Sequence, residues 1–393
     1  MRKYFIVFLF VFLVLISQIA SARTIETECE YISNCTFETG SIKMTPEGKT
    51  INPYHSNFAA IALTLSDNFL TDHQDTVKNY FKWYIAHLNK PDKNDVNCTI
   101  YDYKIEDGQE VSKDIMDSTD SYAATFLSLA YSFVKNGGSS DFVKGYKDNL
   151  RCIAESIEAT LSPQDLTYAK PDYHIAYLMD NSEVYAGFRD YVKLLQDENT
   201  LNDPETADYY LDLRDRIGES IEELLWNSES EEYIIAYGES PPNWEEWYPD
   251  ATANVWPCLF ELPQANLERC QKLFKKLLDY HPTWLNGTAD TSGFPWCSIN
   301  NVAISVSENS TANDFNDWLV EHFDSTNWEY PYYCGEAGWR ISYLNKWEKQ
   351  NESSSDDDDD DDTVSSLMGQ EIQGYKLLGF IQIKKQKKKK VQK

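Results

Sequence analysis

Lys170–Phe188 reads K-P-D-Y-H-I-A-Y-L-M-D-N-S-E-V-Y-A-G-F. A proline-broken segment runs into the apolar triplet Tyr177-Leu178-Met179, and two acids three apart, Asp180 and Glu183, follow it. Val184, Phe188, Tyr191 and Leu195 then recur at i, i+4, i+7 and i+11, which is one apolar face of a helix. The pattern predicts a helix that starts near Asp180 and runs to about Gln196. Asp180 with Glu183 also has the spacing of a capping box. The two acids can therefore be plain helix caps, or groups held ready at the mouth of a helical scaffold.

The neighbouring segments repeat the arrangement. Asp120–Lys135 is apolar on nearly every side and predicts a helix buried on most faces. Asn136-Gly137-Gly138 closes it with C-cap chemistry, and Phe142–Leu161 is its amphipathic partner. Glu205–Trp226 pairs in the same way with the helix of the opening stretch. His55–Leu65, Gln74–Leu88, Leu267–Tyr280, Ser298–Ser305, Asp314–Phe323 and Gly335–Trp347 are further helical patterns. Cys98–Lys113 and Glu232–Tyr237 read as loop or short strand, and Pro241–Pro257 as an aromatic, acidic loop. Antiparallel helix pairs joined by long aromatic loops predict an all-α domain, for which a closed ring of helical hairpins is one solution. No strict internal repeat of the solenoid type is present.

The ends are different material. Met1-Arg2-Lys3, the apolar run Tyr4–Ile16 and Ala20-Ser21-Ala22 form a signal-peptide pattern over residues 1–22. Residues 23–52 read as a polar lead-in, 53–350 as the folded domain, and 351–393 as an Asp-rich spacer with a basic tail. That tail resembles a surface-sorting element, so the expected location is extracellular or at the cell surface. Eight cysteines, all beyond the signal, and N-x-S/T sequons at Asn34, Asn97, Asn286, Asn309 and Asn351 fit an exported, disulfide-bonded glycoprotein. Cys29–Cys35 and Cys297–Cys334 are guessed pairings among the 105 that eight cysteines allow.

A net charge of −29 with no basic stripe before the last residues excludes a nucleic-acid partner. Eight arginines disfavour a strongly anionic polymer as substrate. No nucleophile elbow, phosphate loop, zinc-protease motif or dinucleotide fingerprint occurs. The six histidines show no metal-ligand spacing, so no cofactor or metal is expected. What remains are carboxylates in aromatic company: Asp117 and Asp120, Asp180 and Glu183, Glu245, Glu246 and Asp250, Glu329 and Glu336. Ten of the eleven tryptophans lie at or after Trp226. Flat rings suit sugar faces, and glycoside hydrolysis needs two carboxyl groups across one bond, one of them held protonated. Each acid also has a bland reading: Asp117 and Asp180 as caps, Asp250 as a turn residue, Glu245-Glu246 as a solvated loop.

Four phrases in order, D-S-T-D-S-Y-A-A-T-F-L, Y-L-M-D-N-S-E-V-Y-A-G-F, E-L-L-W-N-S-E-S-E-E-Y and W-Y-P-D-A-T-A-N-V-W-P, resemble the six-hairpin glycosidase superfamily across about residues 53–347. The resemblance is distant, toward the unsaturated glucuronyl hydrolase branch, and the H-D-x-G-F phrase of that branch is replaced here by S-T-D-S-Y. It implies an (α/α)6 toroid with short strands and long aromatic loops. It also implies a monomeric hydrolase of poly- or oligosaccharides. By position, it implies Asp180 as general acid/base and Asp120, sixty residues earlier, as its partner carboxylate. Asp250, Glu183, Tyr177, Trp256, Trp247 and Tyr122 are the expected pocket wall. The alternatives are a non-catalytic glycan-binding or structural protein on the same fold, or a toroid polysaccharide lyase using His174 or Tyr177 as base.

Overall fold

A computed structural model describes residues 24–355. The signal-peptide and basic-tail expectations fall outside the described residues. Residues up to Trp347 form one compact unit, and Glu348 begins a second, described only to Ser355.

Helices α1 (Ile25–Cys35), α2 (Pro53–Leu63), α3 (Gln74–Ala86), α4 (Asp120–Lys135), α5 (Ser140–Lys144), α6 (Lys147–Glu158) and α7 (Leu178–Gln196) make the first half. The second half has α8 (Pro204–Ser220), α9 (Thr252–Asn254), α10 (Trp256–Leu259), α11 (Leu267–Tyr280), α12 (Cys297–Ser305), α13 (Asn309–Asp324) and α14 (Cys334–Ser355). Strands are minor. β1 (Thr50–Ile51), β2 (Tyr103–Glu106) and β3 (Gln109–Ser112) form an antiparallel sheet in that order, and β4 (Trp226–Asn227) pairs with β5 (Glu232–Tyr233).

The helices sort into an inner ring of α2, α4, α7, α9/α10, α12 and α14, backed by α3, α6, α8, α11, α13 and α1. Successive inner helices touch, and α12 meets α14 where Asn301 Nδ2 donates to Trp339 O at 2.6 Å. Two glycines permit backbone contact inside the ring. A Cβ on Gly187 of α7 would lie 2.6 Å from Ala124 O of α4, and one on Gly338 of α14 would lie 2.8 Å from Phe58 O of α2. This is the (α/α)6 toroid with short strands that the hairpin pattern predicts. Its core lies between the two layers, where Phe81, Phe126, Phe133 and Phe188 are fully buried. Each such ring contributes about 2–3 kcal/mol by leaving water.

The last pair closes on the first helix. Arg340 of α14 donates to Glu28 of α1, Tyr332 Oη donates to Glu28 Oε2 at 2.8 Å, and Tyr31 Oη donates to Tyr332 O at 3.1 Å. Helix α1 was thus hidden in what reads as a polar lead-in. Its buried face is only Glu28, Cys29, Tyr31, Ile32 and Cys35, too polar to stand out as a stripe. The fourth inner helix was also concealed, inside the Trp-rich segment read as a loop. It is two short pieces, with Pro257 in the first turn of α10.

The guessed disulfides do not form. The pairs are Cys98–Cys152 and Cys258–Cys270, and Cys29, Cys35, Cys297 and Cys334 are buried thiols. Cys29 and Cys35 lie six residues apart on one helix, about 9 Å apart along the axis, beyond disulfide reach. Cys297 lies against Glu336, and Cys334 against Cys35.

Candidate active site

Every inner helix presents its N-terminal end to one cavity of about 770 Å3. Helix α2 contributes Asn52, Tyr54 and His55, and α4 contributes Asp117, Ser121 and Tyr122. From α7 come Met179, Asp180 and Glu183, and from the α9/α10 approach Trp247, Tyr248 and Trp256. Helix α12 adds Trp296 and Ser298, and α14 adds Tyr333, Glu336 and Trp339. The loop acids Glu245, Glu246 and Asp290 complete the rim.

Asp180 is the third residue of α7 and Glu336 the third of α14. These helices are three apart in a ring of six, so the two acids stand across the cavity from one another. Asp180 is half-buried in the wall. Burial raises its pKa well above the usual carboxylate range, and the nearby charges of Asp120, Glu183 and Asp117 push the same way. Glu336 is 4 % exposed, and its Oε2 accepts the Cys297 N–H at 2.7 Å. Burial lifts it to about 7 against that hydrogen bond.

Glu183 lies one turn beyond Asp180 and is 2 % exposed. Its Oε1 accepts Tyr54 Oη–H at 2.6 Å and Trp256 Nε1–H at 2.9 Å. Burial nonetheless raises it to about 7. Its Oε2, Ser121 Oγ and Trp247 Nε1 make no hydrogen bond within the protein. The Ser121 hydroxyl is near enough to Asp180 and Glu183 to favour their charged forms, yet at neither is the geometry that of a hydrogen bond. His55 is driven by burial down to about 4 and is neutral at pH 7.

Five of the eight expected site residues, Asp180, Glu183, Trp256, Trp247 and Tyr122, line this cavity. Asp120 does not. It is fully buried behind the wall, where Oδ2 accepts Thr167 Oγ1–H at 2.7 Å and Oδ1 accepts the Ser121 N–H at 2.8 Å. These two donors turn it away from the opening, and Asp117, three residues earlier, takes the place at the wall. Asp250 caps a turn instead, accepting the Asn243 N–H at 2.6 Å. Tyr177 pairs with Tyr173 outside the cavity, the two hydroxyls 3.1 Å apart. His174 is exposed, with Nε2 2.6 Å from Pro171 O, so neither base imagined for a lyase is in place. Glu245 and Glu246, read as a solvated face, are exposed but stand at the rim.

Glu336, one of the candidate carboxylates in the sequence, was not among the eight expected site residues, and it lines the cavity. Its local phrase, C-G-E-A-G-W, carries no catalytic signature; only its place at the head of the last inner helix marks it. Among the described residues, no group of three or more His, Cys, Asp or Glu side chains is placed to hold a metal ion.

No family model and no curated protein matches the chain. Solved structures do. A rhamnosidase from Klebsiella oxytoca with rhamnose bound superposes with a TM-score of 0.57 at 9% identity, over 84% of this chain and 65% of that one. The present chain therefore spans somewhat less than two thirds of that enzyme. A glycosidase matches at TM-score 0.59 and 8% identity, over 83% of this chain and 96% of that one. A GH63 mannosylglycerate hydrolase from Thermus thermophilus, in complex with glucose, matches at 0.53 and 11%, over 82% and 99%. The fold is that of the six-hairpin glycosidases.

Proposed function

We propose that the protein hydrolyses glycosidic bonds of a poly- or oligosaccharide in this cavity, with Asp180 as general acid and Glu336 as the second carboxylate. The observation that carries the reading is the pair itself. An acid whose burial raises its pKa well above the usual carboxylate range faces a second carboxyl across an aromatic-walled cavity, which suits the chemical requirement for cleaving a glycosidic bond. Asp120, assigned from sequence as the partner carboxylate, becomes a positioning residue whose charge helps Asp180 keep its proton.

Asp180 protonates the leaving oxygen. Glu336, on the opposite helix rather than a neighbouring one, leaves room for a water between itself and the sugar. That arrangement suits inversion, where the two carboxyls stand further apart than in retaining enzymes. Trp247, Trp256 and Trp296 offer ring faces, and the unsatisfied Glu183 Oε2 is an acceptor for a sugar hydroxyl.

Action outside the cell belongs to the same proposal. The two disulfides support it, and so does the exposure of all five sequon asparagines.

The test is a glycan-hydrolysis screen with reducing-end detection, run on wild type and Asp180→Asn, with NMR of the first-formed anomer. Loss of roughly 10²–10⁴-fold in rate is expected, without loss of stability at neutral pH, because asparagine escapes the ionisation that burial opposes. Full activity in Asp180→Asn refutes the assignment.

A further inference from the structure

The cavity wall carries acids from four sides: Asp117, Asp180, Glu183, Glu336, and at the rim Glu245 and Glu246. Among the described lining residues there is no lysine and no arginine. Of the two lining histidines, one is uncharged and the other is engaged with the backbone. His55 is neutral at pH 7, and His281 is buried with Nε2 2.8 Å from Trp244 O.

The positive ends of the inner helices could favour an anion, but the protein's own side chains occupy several of them. Cys297 N–H is taken by Glu336, His55 N–H by Asn52 Oδ1 at 3.1 Å, and Ser121 N–H by Asp120. A carboxylated sugar placed here would face carboxyl groups on several sides and would find no fork of donors of the kind arginine provides.

The opposite sign fits on two independent counts. Glu183 Oε2 is an acceptor without a partner within the protein, on a side chain 98 % buried in the wall, since the residue is 2 % exposed. Tyr248 and Trp296, with ring centroids 5.3 Å apart, turn aromatic surface to the same space. Burial, and after it the nearby Asp117, Asp180 and Glu183, disfavour ionisation of Tyr248. Carboxylates facing aromatic rings are the combination that binds an ammonium group.

We infer that the cavity selects its glycosides by charge, taking one that carries a protonated amine ahead of a neutral one of the same shape and excluding one that carries a carboxylate. This rests on the carbohydrate reading of the cavity given above, and it separates the protein from hydrolases of uronic acids.

The experiment is calorimetric binding to the full chain at pH 7.5. The probes are glucosamine, glucose and glucuronate, with the same trio in the galacto and manno series. In the series that binds best, the amine is expected to bind at least tenfold more tightly than the uronate, with the neutral sugar between. Glu245→Gln/Glu246→Gln, which alters only exposed rim acids, is expected to narrow that gap several-fold. A neutral sugar or uronate that binds as tightly as the amine overturns the inference and leaves the hydrolase reading standing. No binding by any probe overturns both. Turnover of neutral substrates in the hydrolysis screen without any charge order overturns the inference alone.

Discussion

Glu183→Gln is expected to make the protein more stable at pH 8 and to leave it nearly unchanged at pH 5. In the unfolded chain the carboxyl loses its proton near 4.5; in the folded protein burial holds the proton to about 7. Between those values folding takes up a proton, so stability falls as pH rises through the interval and the loss is complete above it. At about 1.4 kcal/mol for each tenfold change in proton affinity, the full loss is about 3 kcal/mol. Asp120, Asp180 and Glu183 repel one another, so this is an upper bound for one residue. Glutamine cannot ionise and escapes the loss. It keeps the acceptor for Tyr54 and Trp256, and its amide stands where Oε2 has no partner within the protein. Urea unfolding followed by tryptophan fluorescence at the two pH values gives the comparison. The variant should gain about 1–3 kcal/mol at pH 8 and differ by less than about 1 kcal/mol at pH 5. An equal difference at both pH values refutes the claim that a buried, reluctantly ionised carboxyl is the cause. The same substitution removes a charge that keeps Asp180 protonated, so the alkaline limb of a pH–rate profile should move to lower pH.

Other outcomes follow from the same geometry. Glu336→Gln retains an acceptor for the Cys297 N–H and should lose roughly 10²–10⁴-fold in hydrolysis, with Tm shifted by only a few degrees; wild-type turnover would remove Glu336 from the mechanism. Arg340→Met takes the guanidinium from a carboxylate that is itself fully buried, and a loss of about 3–5 kcal/mol in denaturant unfolding is expected. Gly338→Ala drives a Cβ to 2.8 Å from a backbone oxygen of α2; about 1–3 kcal/mol should be lost, and an unchanged Tm would contradict the close approach of α14 and α2.

The helices with continuous apolar faces were legible in the sequence. Asp120–Lys135 and Leu267–Tyr280 begin and end where their patterns do, and the stripe from Val184 to Leu195 places α7. The α4 partner was read as one helix, but the chain breaks at Gly145 and Tyr146 into α5 and α6. Helix α1 escaped because a helix on the outer layer needs few apolar residues when a buried ion pair supplies part of its contact. Asp180, read as an acid at a helix start, does line the cavity. Asp120 was misread because spacing along the chain does not say which way a first-turn side chain turns. Here a hydroxyl from Thr167, 47 residues away, decides it. Glu336 was one candidate carboxylate among several, and only the closed ring, which sets α14 opposite α7, singles it out.

That closure has a consequence for how the molecule is made. Glu28 and Arg340 are 312 residues apart in sequence, so α1 leaves the ribosome long before its partner exists. The cavity stays open-sided until α14 is synthesised, because α14 supplies both the last stave of the ring and Glu336. A nascent chain halted before that helix holds Asp180 and most of the aromatic wall but no opposing carboxyl. The facing pair of carboxyls proposed above is therefore completed only late in synthesis.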